Sequence, residues 1–131
     1  MNPVIDKYGT KRWYNDEGLL HRENGPAIEW HNGSTEWYIN GKEHRLDGPA
    51  VEYSSGTKWW YINGKRHRED GPAIEGSTGT NRWYINGLLH REDGPAIEWR
   101  DGDKEWYIDD EKIDCKNNEE FLRIVKMKEL L

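Results

Sequence analysis

Trp60-Tyr61-Ile62-Asn63-Gly64-Lys65-Arg66-His67-Arg68-Glu69-Asp70-Gly71-Pro72-Ala73-Ile74-Glu75 is one copy of a string that returns every 23 residues. Its Gly-Pro pair recurs at Gly25-Pro26, Gly48-Pro49 and Gly94-Pro95, and its histidine at His21, His44 and His90. Units begin near Trp13, Trp37, Trp60, Trp83 and Trp106. The first interval is one residue longer because Asn15-Asp16-Glu17-Gly18 carries an insertion. A fixed period of this length marks stacked modules, each unable to bury its apolar side alone.

Each unit holds two turn signals. Asn40-Gly41, Asn63-Gly64 and Asn86-Gly87 suit a two-residue hairpin turn, in which both central residues need positive φ. The second set is Asn32-Gly33, Ser55-Gly56, Thr78-Gly79 and Asp101-Gly102. The runs between them are rich in Trp, Tyr and Ile, which favour strands. The expected fold is an all-β repeat array: an elongated antiparallel meander of two-stranded units, about nine or ten strands in all. It spans residues 1–116 and is closed by a C-terminal helix over 117–131. Tyr8-Gly9-Thr10-Lys11-Arg12 matches Ser55-Gly56-Thr57-Lys58-Trp59, so the array opens part-way through a unit.

Alternation along a strand assigns faces. Trp60 and Ile62 share one face, and Trp59 and Tyr61 the other. The Trp/Ile pair returns in Trp37/Ile39, Trp83/Ile85 and Trp106/Ile108, and is expected to form the packed ladder. The other face carries Tyr14, Tyr38, Tyr61, Tyr84 and Tyr107 beside a position that varies: Arg12, Glu36, Trp59, Arg82, Glu105. A residue that changes charge from unit to unit is expected to face solvent.

The last unit breaks the pattern. Asp109-Asp110-Glu111 follows Trp106-Tyr107-Ile108, with no His-Arg and no Gly-Pro. Asn117, followed three residues later by Glu120, reads as a helix start. Phe121, Ile124, Val125 and Leu131 fall on one stripe, expected to cover the open end of the array or to hold a partner or a second copy.

Leu, Ile, Val and Phe together number 22 of 131 residues, 34% of the chain is charged, and the net charge is −6. Such a composition leans towards disorder. Eight Trp and seven Tyr in phase argue the reverse, because each buried indole covers about 200 Å². Cys115 alone cannot form an internal disulfide. The start has neither a basic n-region nor an apolar h-region, and no stretch approaches the roughly 20 apolar residues of a span. A cytoplasmic chain with no membrane partner is expected. The acidic balance argues against nucleic acid.

The period, turn placement and aromatic-x-x-Gly-Lys-x-His core resemble the MORN repeat, also a two-stranded 23-residue unit. The match is closer to its variant with Trp-Tyr-Ile-Asn-Gly-Lys-x-His-Arg-x-Asp-Gly-Pro-Ala, which resembles arrays in large DNA viruses and bacteriophages, often closed by a short helix. The resemblance covers residues 8 to about 114. It implies an elongated antiparallel sheet used for binding. The chain departs from the standard MORN pattern in having His-Arg-x-Asp-Gly-Pro where that family has His-Gly-x-Gly.

His-Arg followed by Asp or Asn could supply acid–base chemistry. Yet an enzyme seldom needs one dyad four times, whereas packing needs it in every unit. Asp is expected to accept backbone donors before Pro, and Arg to pair with a carboxylate such as Glu29, Glu52, Glu75 or Glu98. Equivalent histidines two strands apart lie about 9.5 Å from one another and cannot share a metal ion. His31 reads as a turn residue. No enzyme activity, metal or cofactor is expected.

Differences between units point elsewhere. Trp59 adds an aromatic to the tyrosine face, and Gly76 replaces the aromatic found at Trp30, Tyr53 and Trp99. Leu19-Leu20 and Leu88-Leu89 follow their turns, and Leu46 stands where other units have Glu. Aromatics flanked by charge and exposed leucines are interface material. Tyr38, Trp59, Tyr61, Arg82, Tyr84, Leu88 and Leu89 are therefore the expected binding residues. The expected function is a non-enzymatic protein-binding module. By analogy it is a phage or viral protein that binds and inhibits a host factor such as a defence component. A homo-oligomer through the C-terminal helix or a sheet edge is a further partner class. The alternative is a choline- or carbohydrate-binding aromatic array.

Overall fold

A computed structural model describes residues 2–129. The Asn-Gly pairs form the turn their residues favour. Asn40, Asn63 and Asn86 have φ of 49°, 49° and 50°, and Gly41, Gly64 and Gly87 have 80°, 79° and 83°. This turn matches strand twist and joins Tyr38–Ile39 to Lys42–Glu43, Tyr61–Ile62 to Lys65–Arg66, and Tyr84–Ile85 to Leu88–Leu89. The extra residue of the first unit widens its turn, leaving a single bridge between Tyr14 and Leu20. In the last unit Asp109 and Asp110 take the same left-handed turn, with φ of 47° and 66°.

The second turns work differently. Gly33, Gly56, Gly79 and Gly102 each donate a backbone hydrogen bond to the carbonyl three residues back. They join the strands of an eleven-stranded antiparallel sheet that runs from Val4–Ile5 to Glu111–Ile113. One β-wing is thus continuous, and the Asn-Gly hairpins form a second wing beside it. The all-β meander with one terminal helix is the observed architecture.

The repeat predicts about nine or ten strands, but the tryptophans divide them into shorter ones. Thr35–Glu36 and Tyr38–Ile39 flank Trp37 as separate strands. Trp37 donates its N–H to the Ala50 carbonyl at 2.6 Å, and its own carbonyl accepts from His44 N at 3.0 Å. The chain changes hydrogen-bonding partner at the indole residue, so each tryptophan marks the seam between wings. Only the last unit keeps one strand, Lys104–Ile108.

The core also differs from a Trp/Ile ladder. Ala27, Ala50, Ala73 and Ala96 are fully buried, and Ile28, Val51, Ile74 and Ile97 beside them are nearly so. Ile39, Ile62, Ile85 and Ile108 are only half-buried, whereas Tyr61, on the face expected to be open, is buried. Each indole instead lies under the arginine of its own unit. The guanidinium carbons of Arg22, Arg45, Arg68 and Arg91 sit 3.9, 3.9, 3.9 and 4.0 Å from the ring centres of Trp13, Trp37, Trp60 and Trp83. Indoles two strands apart, about 9.5 Å, are too distant to touch one another. A planar, weakly hydrated guanidinium can fold back and cover the ring. The glycine of Gly-Pro makes room for it: a Cβ on Gly71 would lie 2.8 Å from the Arg68 guanidinium carbon.

The helix spans Asn118–Glu129, and Asn117 Oδ1 accepts from Glu120 N at 2.9 Å as its N-cap. Phe121 is fully buried against Trp106 and Ile113, with Ile124 and Val125 alongside. Its ring stands 6.3 Å from that of Trp106. It covers the one seam indole whose unit has Asp114 where the others have arginine. Leu131 lies outside the described residues.

Candidate recognition face

The repeated His-Arg segment is structural in its bonding. His21, His44, His67 and His90 accept at Nδ1 from the backbone N–H of Asn40, Asn63, Asn86 and Asp109, at 2.9 to 3.1 Å. Each histidine therefore ties its unit to the turn of the next, and the nitrogen a general base would use is already engaged. At Asp47, Asp70 and Asp93 the expected acceptor role serves a side-chain donor. They accept from the Nε of Arg45, Arg68 and Arg91 at 2.9 to 3.0 Å, two residues earlier in the chain. The planar guanidinium presents Nε sideways while it stacks, which places it beside that carboxylate. Its Nη1 reaches the Pro26, Pro49, Pro72 or Pro95 carbonyl, and in three units Glu29, Glu75 or Glu98 as well.

A second set of inter-unit bonds has no counterpart in the sequence reading. Thr10, Ser34, Thr57 and Thr80 follow the second turns and accept at their hydroxyls from the N–H of His31, Ser54, Ser77 and Arg100. Their phased hydroxyls were the available signal. His67→Ala would leave the Asn86 N–H without its acceptor and is expected to cost about 1–2 kcal/mol, measured by urea unfolding. Among the described residues, no three His, Cys, Asp or Glu side chains are placed to share a metal ion. Burial, with the Glu120 and Asp114 carboxylates, pushes the Cys115 thiol up, away from a reactive thiolate.

The opposite face is built from one cross-strand row. Register places Arg12, Ile28, Glu36, Val51, Trp59, Ile74, Arg82, Ile97 and Glu105 side by side. Directly opposed residues of antiparallel strands share a face. The variable residues thus alternate with buried aliphatics and are partnered rather than solvated. Trp30 lies between Arg12, 5.1 Å from its ring centre, and Glu36, which accepts from its Nε1 at 2.6 Å. Trp99 lies likewise between Arg82 and Glu105, at 5.1 and 2.6 Å. That indole bond, with Lys112 and Tyr107, holds the Glu105 carboxyl below its usual range.

The middle of the row departs from this pattern. Trp59 replaces the charge and meets Tyr53 edge-on at 5.8 Å and Tyr61 at 6.1 Å. Its Nε1 is enclosed without an acceptor among the described residues. On its other side Gly76 leaves the aromatic row without a side chain, and a Cβ there would lie 2.7 Å from the Thr80 carbonyl. Arg66 extends over both Trp59 and Tyr84, 5.1 and 5.3 Å from their ring centres. Tyr38 donates to Glu36 at 2.8 Å. Burial of Tyr38 and the Glu36 carboxylate push its phenol well above the ordinary range.

The face therefore gathers Tyr38, Trp59, Tyr61, Arg82 and Tyr84. Leu89 joins them, because it pairs with Tyr84, while Leu88 pairs with Ile85 and lies on the indole face, 38% exposed. Tyr53, Glu43 and Arg66 belong to the face and were missed. Glu43 and Arg66 sit opposite Tyr38 and Tyr61 in the hairpins, a placement that depends on turn register. Among the described residues, Arg66 and Arg82 take part in no ion pair, unlike Arg22, Arg45, Arg68 and Arg91. No helix among the described residues is long and apolar enough to cross a membrane. No protein-family model matches the chain, and the search of curated proteins found no match.

Proposed function

We propose that this chain is a non-enzymatic protein-binding module whose tyrosine face, centred on Trp59, is the recognition surface. The supporting observation is Trp59 itself. Packing satisfies the indole nitrogens of Trp30 and Trp99 with carboxylates, but leaves that of Trp59 buried without an acceptor among the described residues. A buried, unpaired donor costs about 1–3 kcal/mol. A departure from the repeat that costs stability, beside the exposed ring of Tyr53, is what selection for binding leaves behind. The resemblance to viral arrays sharpens the reading: a phage or viral protein, acting in the host cytoplasm, that binds and inhibits a host factor such as a defence component.

Affinity purification from host cells should recover one stoichiometric protein, and Trp59→Ala should abolish its recovery. Retention of that partner by Trp59→Ala would overturn the assignment of the face. A choline- or sugar-binding array is the weaker reading, because Arg66 already occupies the cation position over Trp59. Quenching of tryptophan fluorescence by millimolar choline would revive it.

A further inference from the structure

Resting on the reading of the tyrosine face as a protein-binding surface, we propose that this face pairs with the same face of a second copy. The two-fold axis runs along the strands at Trp59. Counted in strands from Trp59, Glu36 stands two away on one side and Arg82 two away on the other. Arg12 and Glu105 stand four away. A rotation that reverses strand order therefore sets Glu36 against Arg82 and Arg12 against Glu105. Trp59 meets its own copy at the axis.

The hairpin wing repeats this relation with different residues. Its strands are adjacent in the order Leu20, Tyr38, Glu43, Tyr61, Arg66, Tyr84, Leu89, linked by bonds such as Gly64 N to the Glu43 carbonyl and Gly87 N to the Arg66 carbonyl. Glu43 and Arg66 flank Tyr61 one strand away on either side, and Leu20 and Leu89 lie three strands out. The same axis opposes Glu43 to Arg66 and Leu20 to Leu89. In the aromatic row it opposes Tyr53, 42% exposed, to Gly76, which carries no side chain. Charge and apolar contact both become complementary under one operation.

Packing within the chain does not require this. The Arg–Trp–Glu stacks fix the signs in the first row, but none of them involves Glu43 or Arg66. Arg12 and Glu105 already have partners in Asp6 and Lys112. The central Glu36, Glu43, Arg66 and Arg82 form no ion pair among the described residues, so they carry the contact. An isologous interface demands such self-complementarity. Eight strand steps of about 4.8 Å and a width of roughly 15 Å give on the order of 600 Å² per copy, near the roughly 800 Å² each partner contributes to a stable interface.

Sedimentation of the full chain should report twice its 15.5 kDa. Glu43→Arg and Arg66→Glu, each alone, place like charges together twice and should weaken the dimer at least tenfold. In an equimolar mixture of the two variants, the introduced arginine of the first faces the introduced glutamate of the second. The native Arg66 of the first likewise faces the native Glu43 of the second, so the mixture should restore the dimer. That restoration also shows both variants to be folded. A wild-type monomer at about 100 µM, a dimer indifferent to either substitution, or a mixture of folded variants that stays monomeric would overturn the proposal. A monomer would sink self-pairing alone, whereas a dimer with no host partner that depends on Trp59 would sink the host-factor reading.

Discussion

Phe121→Ala is expected to remove about 3–5 kcal/mol of stability, with the loss concentrated at the C-terminal end of the array. Phe121 is fully buried, and its ring covers Trp106 where every preceding unit uses an arginine. Truncation leaves the last indole without a cover and detaches Ile124 and Val125 from Ile113. A stacked array is held by nearest-neighbour contacts, so a defect at one end opens that end first. Hydrogen exchange should show protection lost over 104–129 while the amides of the second and third units keep theirs. Uniform loss along the chain would mean that the units do not behave as separable modules.

Arg68→Ala is expected to cost about 2–4 kcal/mol, the sum of a cation–π contact and charge-assisted hydrogen bonds at a partly buried site. Arg68 stacks on Trp60 at 3.9 Å while bonding Asp70, Glu75 and the Pro72 carbonyl. Arg68→Lys should recover less than half of the loss, because an ammonium cannot stack flat and present a fork at once. Arg66→Ala, on the opposite face and outside any ion pair among the described residues, should change stability by about 1 kcal/mol or less. Urea unfolding followed by tryptophan fluorescence separates the three. Equal losses for Arg66 and Arg68 would contradict the different roles given to the two faces.

These two residues also mark the limit of what is legible in the sequence. The period, both turns, the N-cap at Asn117 and the terminal helix are local features, each set by residues adjacent in the chain. Alternation placed Trp59 with Tyr61 and Trp60 with Ile62, but it cannot say which side is covered. The cover is Arg68, eight residues after Trp60, folding back over the ring. The alanines were overlooked because a small side chain gives no hydrophobic signal. They lie at the seam, where each carbonyl accepts from the backbone N–H of its unit's tryptophan. Of the expected binding residues, Leu88 and Leu89 lie on opposite faces, as successive strand residues must. Arg66 and Tyr53 required the hairpin register and the second turn to be known.

Every joint between neighbouring blocks uses the same fastenings: a histidine nitrogen on the next turn amide and, one wing away, a hydroxyl on the next loop amide. Duplicating or excising a block of 23 residues would recreate an identical joint at the splice. Length can therefore change in fixed increments without new chemistry. The residues that differ between blocks would be reshuffled along the ruler, and a surface for a different target could arise by recombination before any point mutation.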